Sequence, residues 1–217
     1  MKRCILIPSY AEGPITNLIT PLPTDLILCA DSGLFVAMQA GIVPHAVIGD
    51  MDSLEAAGFR QSQLPDGILW VTAPRNKDQT DTALCMEYAI AQGCTEIILL
   101  GGLGGRFDHT YANLQNMVGF ASKGTQVRLM DQNTIIHILT DNKLTIPKVP
   151  GFAVSIFSWT PESTGVTLSG VTYPLRSATL THDFPLGVSN DITEAYATIE
   201  VGQGTLLVIC SKIEVSP

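Results

Sequence analysis

IILLGGLGGRFDHTYANLQ, residues 97–115, reads as a β-strand, a four-glycine turn and a helix in immediate succession. Ile97 to Leu100 are all apolar, as suits a strand covered on both faces. Glycines 101, 102, 104 and 105 let the backbone come close to a ligand and expose N–H groups that favour phosphate. Beyond them Leu114, Met117, Val118 and Ala121 recur at i, i+3, i+4 and i+7, so one helix face packs on a sheet while Asn113 and Gln115 look elsewhere. Asp108 is a candidate N-cap for this helix.

The same alternation runs through the chain up to residue 131. CILIP, DLILCA, AVIGD, ILWVTA, EIILLGG and VRLMD read as strands, set against helical stretches such as 32–40, 81–92 and 109–122. This predicts an α/β N-terminal domain with a mainly parallel sheet. From residue 132 the pattern changes to short strands with turn punctuation: NTIIHILT, KLTIP, FAVSIFSW, GVTLSGVTYPL, SATLTH, AYATIEV and TLLVIC. The expectation is an all-β antiparallel sandwich over 132–217, with GQGT at 202–205 as a hairpin turn.

Composition narrows the function. The 217 residues are 46% hydrophobic and 15% charged, with a mean hydropathy of +0.27, which excludes disorder. No apolar run approaches the roughly 18 residues that span a bilayer, and the N-terminal apolar stretch is cut by Pro8, short of a signal peptide. The five cysteines form no C-x-x-C pair and read as core thiols of a cytoplasmic protein. Twelve Lys and Arg against twenty Asp and Glu give a net charge of −8, which argues against nucleic acid as a partner. An anionic small substrate would therefore need a local cation or a bound divalent metal.

Acids gather at the strand ends. VIGDMDSL, residues 47–54, places Asp50 and Asp52 one residue apart. If both lay on a strand they would face the same side about 6.6 Å apart, close enough to share one ion. Alone, the stretch favours a strand end and a solvated turn, with Asp52 or Ser53 capping a helix. However, LILCADSG ends in Asp31, and WVTAPRNKDQTD supplies Asp78 and Asp81 ahead of a helix. In an open parallel sheet, acids from separate strand ends converge on one crevice, which capping alone does not predict. Asp81 is read as functional; Asp78 is open between a cap and a ligand.

The glycine turn matches neither common nucleotide loop. No Lys-Ser/Thr follows it, and Phe107 stands where G-x-G-x-x-G needs its last glycine. Arg106 adds a cation able to hold phosphate oxygens in a fork, followed by Asp108 and by His109, which reads as a structural hydrogen-bonder rather than a base.

ADSG at 30–33, IGDMDSL at 48–54, KDQTD at 77–81 and GGRFDHTYANL at 104–114 occur in that order, and GVTYPL and GVSN follow in the β-rich half. Together they resemble the thiamine pyrophosphokinase family. Met51, where an aromatic is expected, and His45, in place of an acid, are the departures. The resemblance implies attack of the thiamine hydroxyl on the β-phosphorus of ATP, giving thiamine diphosphate and AMP, with Mg²⁺ and as a homodimer whose thiamine site forms between subunits. It implies a catalytic set of Asp31, Asp50, Asp52, Asp81, Arg106 and Asp108, of which Asp50, Asp52 and Asp81 hold the metal. ATP contacts then fall to Asp78, Thr80, Gly102, Gly104, Gly105, Arg106 and His109. Tyr173 is expected to stack on the aminopyrimidine, and Ser189 and Asn190 to hydrogen-bond it. A nucleotide sensor without turnover and a metal-dependent phosphohydrolase are the alternatives; the first could dispense with Asp50, Asp52 or Asp81, and the second has no use for Tyr173.

Overall fold

A computed structural model describes residues 2–213, which fall into two compact units, one ending at Gln132 and the other starting at Asn133. The first unit runs β1 (Arg3–Ile7), β2 (Leu26–Ala30), α1 (Gly33–Gln39), β3 (Ala46–Gly49), α2 (Asp52–Ala56), β4 (Leu69–Thr72), α3 (Asp81–Ala91), β5 (Glu96–Leu100), α4 (Phe107–Ala121) and β6 (Gln126–Met130). Its strands pair in parallel in the order β6-β5-β1-β2-β3-β4. β1, β2, β3 and β5 are buried along nearly their whole length, which is why they read as unbroken apolar runs rather than alternating ones.

The strand order reverses between β1 and β5. A crevice therefore opens beyond the carboxyl ends of these strands, where the connections leave in opposite directions. Ile5, Ile7, Leu34, Val47, Leu54 and Ile98 form the core beneath it. At the other end of the strands Arg3 grips the buried Asp25 through Nε at 2.9 Å and Nη2 at 2.6 Å, and the Leu22 N–H adds a third bond at 2.7 Å. Burial works to raise the Asp25 pKa, but these bonds outweigh it and hold the carboxyl below its ordinary range. His45 fixes the start of the β2–β3 pairing: its Nδ1 accepts from the Ile27 N–H at 3.0 Å.

α4 corrects two expectations. Its first residue is Phe107 after the N-cap Arg106, so Asp108 sits in the first turn rather than at the cap. Asn113, expected to look away from the sheet, is buried together with Met117 and Phe120.

The second unit comprises β7 (Thr134–Thr140), β8 (Lys143–Pro147), β9 (Phe152–Ser158), β10 (Glu162–Ser169), β11 (Leu175–Thr181), β12 (Gly187–Asp191), β13 (Tyr196–Glu200) and β14 (Thr205–Lys212). They form two antiparallel layers, β12-β9-β14-β7 and β11-β10-β13-β8, with Val154, Ile156, Val166, Leu168, Ile199 and Val208 in one core. GQGT is not a hairpin: it carries the chain from β13 in one layer to β14 in the other. The run expected as one strand through GVTLSGVTYPL breaks at Gly170 (φ +76°), where a side chain would collide with the Tyr196 carbonyl. Among the described residues no helix is long and apolar enough to cross a membrane.

Candidate active site

Asp31 follows β2 directly. Its N–H donates to the Ile48 carbonyl at 3.0 Å, extending the β2–β3 ladder by one residue before the chain turns through φ +43°. A non-glycine residue held there is strained by about 1 kcal/mol or more, and such strain persists only where the surroundings enforce it. Asp31 is 3% exposed, and its Oδ1 is buried without a hydrogen-bond partner among the described residues. An unpaired buried carboxylate oxygen is costly and calls for a cation.

Asp50 and Asp52 meet it by a different route from the expected one. β3 ends at Gly49, so the two acids do not share a strand face. Met51 takes a left-handed turn (φ +65°) with its side chain buried in the core, and this folds Asp50 and Asp52 back toward each other. One carboxylate oxygen each from Asp31, Asp50 and Asp52 lies within 4.8 Å of the others. The Asp52 N–H donates to Asp50 Oδ1 at 3.2 Å, and Ser53 Oγ donates to Asp52 Oδ1 at 3.1 Å. Neither Asp52 nor Ser53 caps α2, whose N-cap is Met51.

Asp81 opens α3 and points at the same place: a Cβ on Gly49 would stand 3.1 Å from both Asp31 Cβ and Asp81 Cγ. Lys77 lies between the acids, with Nζ 3.1 Å from Asp50 Oδ2 and 3.0 Å from Asp81 Oδ1. The first contact is a hydrogen bond; the second is an ion pair outside hydrogen-bond geometry, so Asp81 Oδ1 stays without a donor among the described residues. Burial raises the Asp81 pKa, and Asp50 and Asp31 add to the rise against the pull of Lys77. Asp50 goes the other way, because the Asp52 N–H and Lys77 together outweigh its burial.

Thr80 caps α3, accepting from the Ala83 N–H at 3.2 Å, and its hydroxyl also accepts from Asn116 Nδ2 at 2.9 Å. Asp78 is exposed and does not cap the helix. In the glycine turn, Gly102 donates to the Tyr10 carbonyl at 2.7 Å, and its own carbonyl accepts from the buried Asn113 Nδ2 at 3.0 Å. A side chain at Gly102 would sit 2.8 Å from that amide, so the turn is fixed by Asn113 and by lack of space. Arg106 and Asp108 form an exposed two-pronged pair, Nε to Oδ1 at 3.2 Å and Nη2 to Oδ2 at 2.6 Å, and the guanidinium holds Asp108 below its usual range.

These groups share one open cavity of about 580 Å³, lined by Asp31, Asp50, Asp52, Lys77, Thr80, Asp81, Arg106, Asp108 and His109. A second cavity of about 390 Å³ shares Arg106 and His109 with it and is walled by Tyr10, Gly102, Gly104 and Gly105. The structure thus brings together all the expected first-unit residues except Asp78. Lys77, Gly49 and Asn113 are the additions. Each lies inside or beside a quoted motif, but a lysine reads as solvated, a strand glycine as neutral and an asparagine as outward-facing.

In the second unit Tyr173 is 72% exposed. The buried Asn190 spends its amide on the Tyr173 backbone, and Ser189, at φ +53°, donates its N–H to Ser155 Oγ at 3.0 Å. Ser189 and Asn190 belong to β12.

Comparison with known proteins agrees with this architecture. The sequence pattern described as thiamin pyrophosphokinase, catalytic domain, matches residues 22–129, and that described as thiamin pyrophosphokinase, vitamin B1 binding domain, matches residues 135–206. The chain is 30% identical over 207 residues to thiamine pyrophosphokinase of Bacillus subtilis strain 168, covering 93% of this chain and 96% of that protein. The crystal structure of the Bacillus subtilis thiamine pyrophosphokinase superposes with a TM-score of 0.81 at 25% identity, covering 99% of this chain and 100% of that one. A thiamin pyrophosphokinase family protein from Enterococcus faecalis gives 0.80 at 27%, covering 98% and 100%. Strand order, motif order and these likenesses agree: the chain belongs to the thiamin pyrophosphokinase family.

Proposed function

We propose that this protein transfers the pyrophosphoryl group of ATP to the hydroxyl of thiamine, releasing AMP and thiamine diphosphate. The observation that carries this reading is the convergence of Asp31, Asp50 and Asp52 within 4.8 Å, in a cavity that also holds Arg106. Three hard oxygen donors, with an Asp31 oxygen that is buried and unpaired among the described residues, fit Mg²⁺. Asp31, Asp50 and Asp52 would hold it, in place of the expected Asp50, Asp52 and Asp81, with Asp81 beside them paired to Lys77. Bound there, the metal would neutralise phosphate charge and so admit a polyanion to an acidic pocket.

The protein's own groups position the reactants, as phosphoryl-group transfers require. The Arg106 fork matches phosphate oxygens as well as it matches Asp108, so the exposed pair can open onto substrate at little cost. Gly102, Gly104 and Gly105 bring the backbone close to the phosphates, and Thr80 and His109 line the approach. Asp81, whose burial raises its affinity for a proton, is suited to accept the one leaving the thiamine hydroxyl. The second unit supplies thiamine recognition through the exposed ring of Tyr173, with Ser189 and Asn190 supporting it from β12, and the protein works as a homodimer. Five free, buried cysteines suit a reducing cytoplasm.

Incubation with ATP, Mg²⁺ and thiamine, with products resolved by chromatography, tests the proposal. AMP and thiamine diphosphate in equal amounts support it. ADP with thiamine monophosphate, or inorganic phosphate released without thiamine, overturns it.

A further inference from the structure

Lys77 is placed oddly for a substrate-binding lysine. Its side chain is only 12% exposed, and its ammonium touches Asp50 and Asp81 at 3.1 and 3.0 Å. Asp50 in turn belongs to the three-acid group with Asp31 and Asp52. One ammonium thus touches two of the four clustered carboxylates, and one of its two contacts lacks hydrogen-bond geometry. A lysine suits that position, since its ammonium is a compact point charge on a flexible stem.

A divalent ion at Asp31, Asp50 and Asp52 would bind the same Asp50 carboxylate that Lys77 occupies. Two cations on one carboxylate repel, so metal and Lys77 compete for it. Lys77 also lines the cavity proposed to receive the phosphates, so the displaced ammonium has an anionic destination a short swing away. We infer that Lys77 is a built-in stand-in for the metal: it neutralises the acids in the metal-free protein, yields Asp50 to the incoming ion, and transfers its charge to the phosphate chain. This rests on the function proposed above. Metal alone then binds weakly, because it must evict Lys77, and binds tightly with nucleotide, because the evicted ammonium is rewarded. Metal and nucleotide thereby become cooperative ligands of one site.

The test uses MnCl₂ alone as probe, without thiamine or turnover, with free Mn²⁺ read by electron paramagnetic resonance. Lys77→Met is expected to bind Mn²⁺ about 10-fold more tightly than the unaltered protein, equivalent to ~1.4 kcal/mol of relieved competition. The gain from added ATP should shrink in the same variant, and Lys77→Arg should stay near the unaltered protein. A Mn²⁺ affinity in Lys77→Met that is equal or weaker contradicts the inference, since loss of a competing cation should tighten metal binding.

A measurement on the unaltered protein removes any dependence on how the variants fold. Acylation of Lys77 by an amine-reactive ester, followed by mass spectrometry, should rise several-fold at saturating MnCl₂ and fall again when ATP is added. Labelling unmoved by MnCl₂ overturns the displacement. Because neither experiment needs the acceptor, their failure leaves thiamine diphosphate formation standing. Conversely, absence of that product alongside the expected Mn²⁺ results sinks the proposed function and leaves the stand-in role intact.

Discussion

Asn190 holds the backbone of Tyr173 from both sides: its Nδ2 donates to the Tyr173 carbonyl at 2.7 Å, and its Oδ1 accepts from the Tyr173 N–H at 3.0 Å. A buried amide thus fixes the backbone of an exposed ring, which is what a stacking platform needs. Tyr173→Ala should raise the thiamine KM roughly 5–30-fold by removing the ring face, with little change in the ATP KM. Asn190→Ala should raise the same KM while leaving the ring present. Steady-state kinetics with each substrate varied in turn decides this, and an unchanged thiamine KM in folded Tyr173→Ala would place the acceptor site elsewhere.

The acids of the first unit should separate stability from activity. Asp31 is strained and Asp81 is an acid whose burial disfavours its charge. Because the folded pKa of Asp81 is raised, its charge opposes folding at neutral pH, and this penalty fades as pH falls through the folded value. Asp81→Asn is therefore expected to raise the melting temperature of the metal-free protein, while Asp31→Asn should keep it near the original. Turnover of both should fall by about two orders of magnitude or more. Melting curves beside turnover check this; a lower melting temperature for Asp81→Asn would make it a structural residue.

Gly49→Ala tests how closely the acids must be spaced. The added methyl would stand 3.1 Å from Asp31 Cβ and Asp81 Cγ, so Asp31 and Asp81 must give by a few tenths of an ångström. The fold should survive, since Gly49 does not occupy the left-handed region. Turnover should fall by at least about 10-fold, because small misplacements of reacting groups are expensive. Unaltered turnover would show that the site tolerates a shifted acid pair.

A pH dependence of stability follows from Asp25. Its folded pKa is lowered, so its contribution is present above the ordinary value of about 4 and is lost as pH falls through the folded value. Asp25→Ala leaves Arg3 and the Leu22 N–H without a partner, and should cost on the order of 3 kcal/mol at neutral pH. Urea titrations between about pH 3 and 7 should show the gap to the unaltered protein closing at the acid end. A gap constant with pH would mean that packing, not the ion pair, is lost.

The fold is legible in the sequence wherever burial is two-sided. β1, β2, β3 and β5 are covered on both faces and hence almost wholly apolar, and the change to short strands with turn punctuation after residue 132 marks the second unit. β12 is not legible, because GVSND pairs with β9 through backbone contacts that need Gly187 and a left-handed Ser189, and such residues read as a turn. Of the site, the acids stand out because carboxylates at strand ends have few other reasons to converge. Met51 hides the means: a buried side chain in a left-handed turn brings Asp50 and Asp52 together, which no periodicity reveals. Lys77 and Asn113 are missed for one reason, since polar residues are assumed to face water and these two are held inward by the groups they satisfy.

The proposed reaction has the thiamine hydroxyl attack the β-phosphorus of ATP. ATP labelled with ³²P at the β-position, given to the protein with thiamine and Mg²⁺ in a single turnover, reports this directly. All the transferred label is expected in thiamine diphosphate and none in the nucleotide product, which is AMP. Label retained in ADP, with unlabelled thiamine monophosphate formed beside it, would contradict attack at the β-phosphorus.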